Sequence, residues 1–154
     1  MKRPLYAKFA PVILGALLLI ACGVPPRPQP TAPAADTPAY AELSGQLTSL
    51  NREAEADLKK GQGDKAATAV QNGLPIQAKL LEAPRPTLEA MQAISDLDDI
   101  YARMLLAGQR EGWARIMYQK NVVRWRYWKP ETDDSARRLK QAQAGIAECD
   151  RRLK

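Results

Sequence analysis

From Tyr40 onward, apolar residues recur at spacings of three and four, the period of an amphipathic helix, with polar residues between them. Tyr40, Leu43, Leu47, Leu50, Ala54 and Leu58 form the first such face. The helix is predicted to end at KKGQGD, where Lys59 and Lys60 suit its negative end and Gly61 follows. Asp64 is expected to cap a second helix that turns Ala67 and Val70 inward. Gly73 and Pro75 in NGLP predict a break or kink, then a short helix through Leu80 and Leu81 that stops at APRP. Thr87 opens a third helix, with Leu88, Met91, Ile94, Leu97, Tyr101, Met104 and Leu105 along one side. Asp96 and Asp99 lie opposite, Asp99 one turn before Arg103, and Gly108 ends the helix. A fourth runs from about Glu111 to Trp128, ahead of Pro130. The fifth starts near Thr132, has Asp133 and Asp134 at its positive end, and repeats Leu139, Ala142, Ile146, Cys149 and Leu153. No run alternates in the manner of a strand. The fold class is all-α: about five helices stacked as antiparallel α-hairpins, without a sheet.

The fourth helix is apolar around most of its circumference. Ile116, Val123 and Tyr127 share one row, Tyr118, Val122 and Trp125 another, with Trp113, Met117 and Trp128 between or beside them. Arg115, Gln119 and Arg126 mark the one plainly solvated strip. So wide an apolar surface is either packed on two sides or packed on one and open on the other. In the first case the helix is wedged between the third and fifth, and Lys120 and Arg124 extend along the seam toward Asp96 or Asp99. In the second, Tyr118, Val122, Trp125 and Arg126, fringed by Lys129, form a partner-binding patch of hot-spot composition. A membrane-interface belt is a third use of the same residues. Val123 and Tyr127 are assigned to the core.

Two turns echo each other, LKKGQGDKAATAV and MLLAGQREGWARIM. Aligning Gly61-Gln62 with Gly108-Gln109 sets Leu58 on Leu105, Ala67 on Ala114 and Val70 on Met117. Helix, Gly-containing turn and helix opening in small residues resembles the hairpin of tetratricopeptide-type repeats. The 47-residue offset departs from that family's period of about 34. The family's tryptophan, tyrosine and proline signature is also incomplete here. The resemblance covers the turns and implies stacked α-hairpins.

The first 39 residues are of another kind. Lys2, Arg3 and Lys8 precede an uncharged apolar run from Phe9 to Ala21, shorter than the roughly 20 residues that span a bilayer and fit for a signal peptide. Leu19-Ile20-Ala21-Cys22 resembles the lipobox of bacterial lipoproteins. That resemblance implies removal of residues 1–21, covalent lipid on Cys22, and membrane attachment by two or three acyl chains. With Gly23 next, it implies an envelope location: the periplasmic side of the outer membrane in a cell with two membranes, otherwise the outer face of the cytoplasmic membrane. Val24 to Pro38 holds six prolines, and residues 22–39 read as a lipidated cysteine and an extended tether reaching about 40–50 Å. Residues 40–154 read as one helical domain.

Charge changes the picture little. The net +6 includes three cations of the signal segment. Tyr40–Ala102 carries six basic and ten acidic residues, and Arg103–Lys154 thirteen and six. Helices that offset one another's charge explain this, and an anionic polymer of the cell wall held by Arg137, Arg138 and Lys140, with Arg151 and Arg152, is the alternative. Nucleic acid is not an expected partner in the envelope. If Cys22 is lipidated, Cys149 has no intramolecular partner. The chain has no histidine, so the commonest acid/base and metal ligand are missing, and it has no Gly-rich phosphate loop or GxSxG elbow. A carboxylate pair drawn from Asp96, Asp98, Asp99 and Glu111 would need two groups about 5–9.5 Å apart across a cleft, which neighbours on one helix face do not offer. The expectation is a non-enzymatic, membrane-anchored lipoprotein without metal or further cofactor. Its helices would bind another envelope protein in assembly or scaffolding.

Overall fold

A computed structural model of the chain describes Ala35 and residues 37–154. The signal segment, Cys22 and the tether up to Ala34, together with Asp36, lie outside the described residues. Five helices follow: α1 Pro38–Lys59, α2 Gly63–Leu81, α3 Leu88–Ala107, α4 Glu111–Tyr127 and α5 Asp133–Arg152. The described residues contain no strand.

Three of the five starts have a side-chain cap. Thr37 accepts from the Tyr40 backbone N–H at 3.2 Å and Thr87 from that of Ala90 at 3.3 Å. Thr132 and Ser135 form a reciprocal capping box at α5. Pro38, the last of the six prolines in residues 24–38, is the first residue of α1, where its missing N–H costs nothing. Asp64 does not cap α2. Gln62 occupies that position without a side-chain bond, and Asp64 lies inside the first turn, where its charge suits the helix dipole.

No break occurs at NGLP. α2 runs unbroken through Pro75, and Gly73 is buried in its middle. A Cβ on Gly73 would sit 3.0 Å from Leu97 Cδ1 and 3.1 Å from Leu47 Cδ1, so this glycine lets α1 and α3 close on α2. Pro75 removes the N–H that would serve the Gln71 carbonyl, but both residues are exposed and water can replace it.

The two echoing turns are the same motif, in a different register from the sequence alignment. Gly61, with φ 71°, donates to Leu58 O at 3.0 Å while Gln62 donates to Asp57 O at 2.8 Å. Gln109, with φ 57°, donates to Leu106 O at 3.2 Å while Arg110 donates to Leu105 O at 2.8 Å. Both are Schellman caps. The left-handed residue after α3 is therefore Gln109, and Gly108 is the helix cap before it. Gly61 matches Gln109, an offset of 48. Ala54 then falls on Ala102 and Ala66 on Ala114, all four fully buried, and Val70 falls on Tyr118. Ala66, and not Ala67, is the small residue that faces the neighbouring helix.

Cross-helix bonds set the layers. Tyr40 at the start of α1 donates its hydroxyl to Leu80 O at the end of α2, 3.0 Å away, so these helices are antiparallel. Arg115 early in α4 meets Asp150 late in α5 at 2.7 Å, again antiparallel. Asn51 reaches Ala93 O, while Asp96 pairs with Arg138 and Asp99 accepts from Gln141, so α1, α3 and α5 run parallel as one layer. α2 and α4 form the other layer. Two hairpins stack, and α5 takes the place where a third hairpin would begin. Tyr40, Leu47, Val70, Leu80, Ile94 and Leu97 anchor a core among α1, α2 and α3. Ala102, Leu106, Ala114, Tyr118 and Cys149 anchor a second among α3, α4 and α5.

Candidate functional site

α4 packs on α3 and α5 along one side and is open on the other, and the structure reverses the two rows assigned to it. Tyr118, Val122 and Trp125, the candidate partner-binding residues, are buried, Trp125 at 3% exposure. Of that set only Arg126 faces solvent. Trp125 donates its indole N–H to Ser95 Oγ at 2.8 Å, packs edge-on to Trp128, and lies under the Arg138 guanidinium. Val123 and Tyr127, expected in the core, are exposed, Tyr127 at 73%, as is Ile116 on the same row. The cause is one close approach. A Cβ on Gly145 of α5 would lie 2.6 Å from the Tyr118 ring, so α5 lacks a side chain where that ring packs and turns the Tyr118 row inward.

The seam between the helices is polar. Arg124 Nη2 donates to Asp98 Oδ2 at 2.9 Å, and both side chains are almost fully buried. Gln77 donates to the other Asp98 oxygen at 3.0 Å. Arg124 also reaches Asn121 Oδ1, and Asn121 donates to Ser95 O at 3.0 Å. Arg124 thus pairs with Asp98, not with Asp96 or Asp99, and among the described residues Lys120 meets only the Met117 sulfur, at 3.7 Å. One network joins α2, α3 and α4, and every member has a partner.

The cations proposed to hold an anionic polymer are mostly occupied. Arg138 is bonded to Asp96 and Asp134, and Arg137 to Asp134. Arg151 and Arg152 share Glu148. Lys140 is exposed. Burial alone would raise the Asp134 carboxyl, but hydrogen bonds from Arg138, Gln92 and Arg137 pull its pKa down to about 2. Asp99 has its pKa raised by burial despite the nearby Arg103. Burial also pushes the Tyr118 phenol up to about 12 and raises the Cys149 thiol. Cys149 is free and fully buried, a small hydrophobe in the second core.

A concavity lies on the parallel layer. α1, α3 and α5 enclose a groove of about 630 Å³. An ionic chain crosses its floor: Glu55 of α1 pairs with Arg103 of α3, Arg103 bonds Asp99 at 3.1 Å, and Asp99 accepts from Gln141 of α5 at 3.2 Å. Ile100 and Ala56 add apolar surface, and Arg52 and Lys59 stand on the α1 side. Lys59 is 4.0 Å from Glu55, and Arg52 has no carboxylate partner among the described residues. Asn51 is buried at the groove with its amide donating to Ala93 O at 2.8 Å, while its carbonyl oxygen accepts from none of the described residues. Asp96 and Asp99 line the groove one turn apart on one helix, without an opposing carboxylate of α1 or α5 free of an arginine. A smaller polar cavity of about 50 Å³ beneath, between α3 and α5, has room for a water or two. This groove is not legible in the sequence. Its walls come from helices about 48 residues apart whose polar faces read individually as solvated surface.

The described residues hold no cluster able to bind a metal ion, and no described helix is long and apolar enough to cross a membrane. Comparison of the chain with known protein families, with curated proteins and with solved structures gives no match.

Proposed function

We propose that this chain is a lipid-anchored envelope protein whose helical domain binds an extended segment of another protein in the groove of α1, α3 and α5, serving in assembly or scaffolding. The groove carries the reading. It is open, of ligand size, and offers both signs of charge beside the apolar surface of Ala56 and Ile100. Mixed polar lining of this kind suits a polypeptide, which brings its own amides and side chains of either sign. A carboxylate-based enzyme has less support, because Asp98 and Asp99 are engaged by arginines. Anionic-polymer binding has less support for the converse reason, since Arg137, Arg138, Arg151 and Arg152 have carboxylate partners.

Two experiments test the two halves. A photo-crosslinking residue at Arg52, inside the groove, should capture a protein of defined mass in native envelopes, while one at Lys65 on exposed α2 should not. Equal capture from both positions, or none from Arg52, would overturn the groove. For the anchor, Cys22→Ser should leave an unprocessed, lipid-free precursor. A normally processed, lipid-bearing mutant would overturn lipidation at Cys22 and leave the groove reading untouched.

A further inference from the structure

The outward face of α4 carries an apolar line with no packing partner among the described residues. Trp113, Ile116, Val123 and Tyr127 are all exposed, with Lys120 between them. Their spacings of three, four, three and four place them on one seam about 21 Å long. The sister hairpin supplies an internal control. At the offset of 48, the same five positions on α2 are Lys65, Thr68, Asn72, Pro75 and Lys79, all exposed and, apart from the proline, polar. The fold therefore does not require apolar residues there, and α4 bears four large ones.

Two features specify the occupant. The line is flanked on one side by the strip of Arg115, Gln119 and Arg126 and on the other by partly buried Met117, Arg124 and Trp128, and its spacing of three and four is that of helix-on-helix packing. Its border is also cationic. Lys120 and Arg126 have no carboxylate partner among the described residues, Lys129 meets only the exposed Glu131 at 3.9 Å, and Arg115 is tied to Asp150. A second copy packed antiparallel about Lys120 would set Lys120 against Lys120 with no acid of the seam between them. We infer that α4 docks an acidic amphipathic helix of a different protein, its apolar seam on Trp113, Ile116, Val123 and Tyr127 and its carboxylates beside Lys120 and Arg126. This surface lies on the layer opposite the groove and does not depend on the groove reading.

The test uses the purified full chain and two synthetic heptad peptides with Leu at both seam positions, one with Glu and one with Lys at the flanking positions. The Glu peptide should bind at least about tenfold more tightly than the Lys peptide, and salt should weaken it. Val123→Glu should weaken the Glu peptide at least about tenfold with the melting temperature nearly unchanged, because Val123 is 58% exposed. Lys120→Glu with Arg126→Glu should reverse the preference between peptides. Equal affinity for the two peptides, or none for either, would overturn the proposal. So would self-association abolished by Val123→Glu without peptide binding. Cosedimentation with phosphatidylglycerol vesicles that needs Trp113, again without peptide binding, would assign the face to lipid.

Discussion

Gly145→Ala should destabilise this protein although it replaces glycine by the best helix former in the middle of a helix. In an open helical position that change stabilises by about 0.5–1 kcal/mol. At Gly145 the new methyl would meet three carbons of the Tyr118 ring at 2.6 Å, well inside van der Waals contact. The ring is pinned by Ala102, Leu106, Ala114 and Cys149 and is only 4% exposed, so it cannot swing aside into solvent. Overpacking of a tight core costs about 1–3 kcal/mol, and a clash with a trapped ring belongs in the upper part of that range. The net loss is about 1–2 kcal/mol, a fall in Tm of about 4–8 °C for a domain of this size. Gly45→Ala is the matched control. Gly45 is exposed in mid-α1 with nothing within 4 Å of a Cβ, so Tm should rise by about 2–4 °C. Thermal unfolding followed by circular dichroism reads both variants. If both raise Tm equally, Tyr118 does not pack against Gly145, and the rotation of α4 derived from that contact is wrong.

Three further outcomes follow from the same packing. Trp125→Ala should cost about 3–5 kcal/mol, whereas Tyr127→Ala should stay within about 0.5 kcal/mol, as denaturant titration of the pair would show; comparable losses would refute the assignment of inner and outer rows. Arg124→Met should cost about 3–5 kcal/mol by stranding the Asp98 carboxylate. Adding Asp98→Asn should recover much of it, since a neutral amide is cheaper to bury and still accepts from Gln77, and no recovery in the double mutant would refute the pairing. Asp134 has a folded pKa of about 2, below its unfolded value of about 3.9. Its contribution is therefore present above the unfolded pKa and lost as pH falls toward 2. The Tm gap between wild type and Asp134→Asn should be constant above about pH 5 and close near pH 2; a gap that ignores pH would show the carboxylate is not held by Arg137 and Arg138.

Much of the helical content was legible in the residues because it depends on near neighbours. Spacings of three and four define a face whatever lies opposite, and Thr87 and Thr132 cap the helices they begin. Gly61 ends α1 because only a local left-handed turn is needed there. The burial of Cys149 followed from its row by the same local logic. What failed was each inference that depended on a neighbour distant in sequence. Gly73 and Pro75 read as a break, yet Leu47 and Leu97 need that glycine for close packing and hold the helix together across the proline. The second turn was placed one residue off because Gln109, not the adjacent glycine, adopts the left-handed conformation. α4 has two apolar rows, and periodicity cannot say which one is covered. Gly145 on α5 decides it by leaving space for the Tyr118 ring, which turns Trp125 toward Ser95 and leaves Val123 and Tyr127 outside. A rotation of one helix is invisible to its own sequence, because the energy that selects it resides in the surfaces of its neighbours.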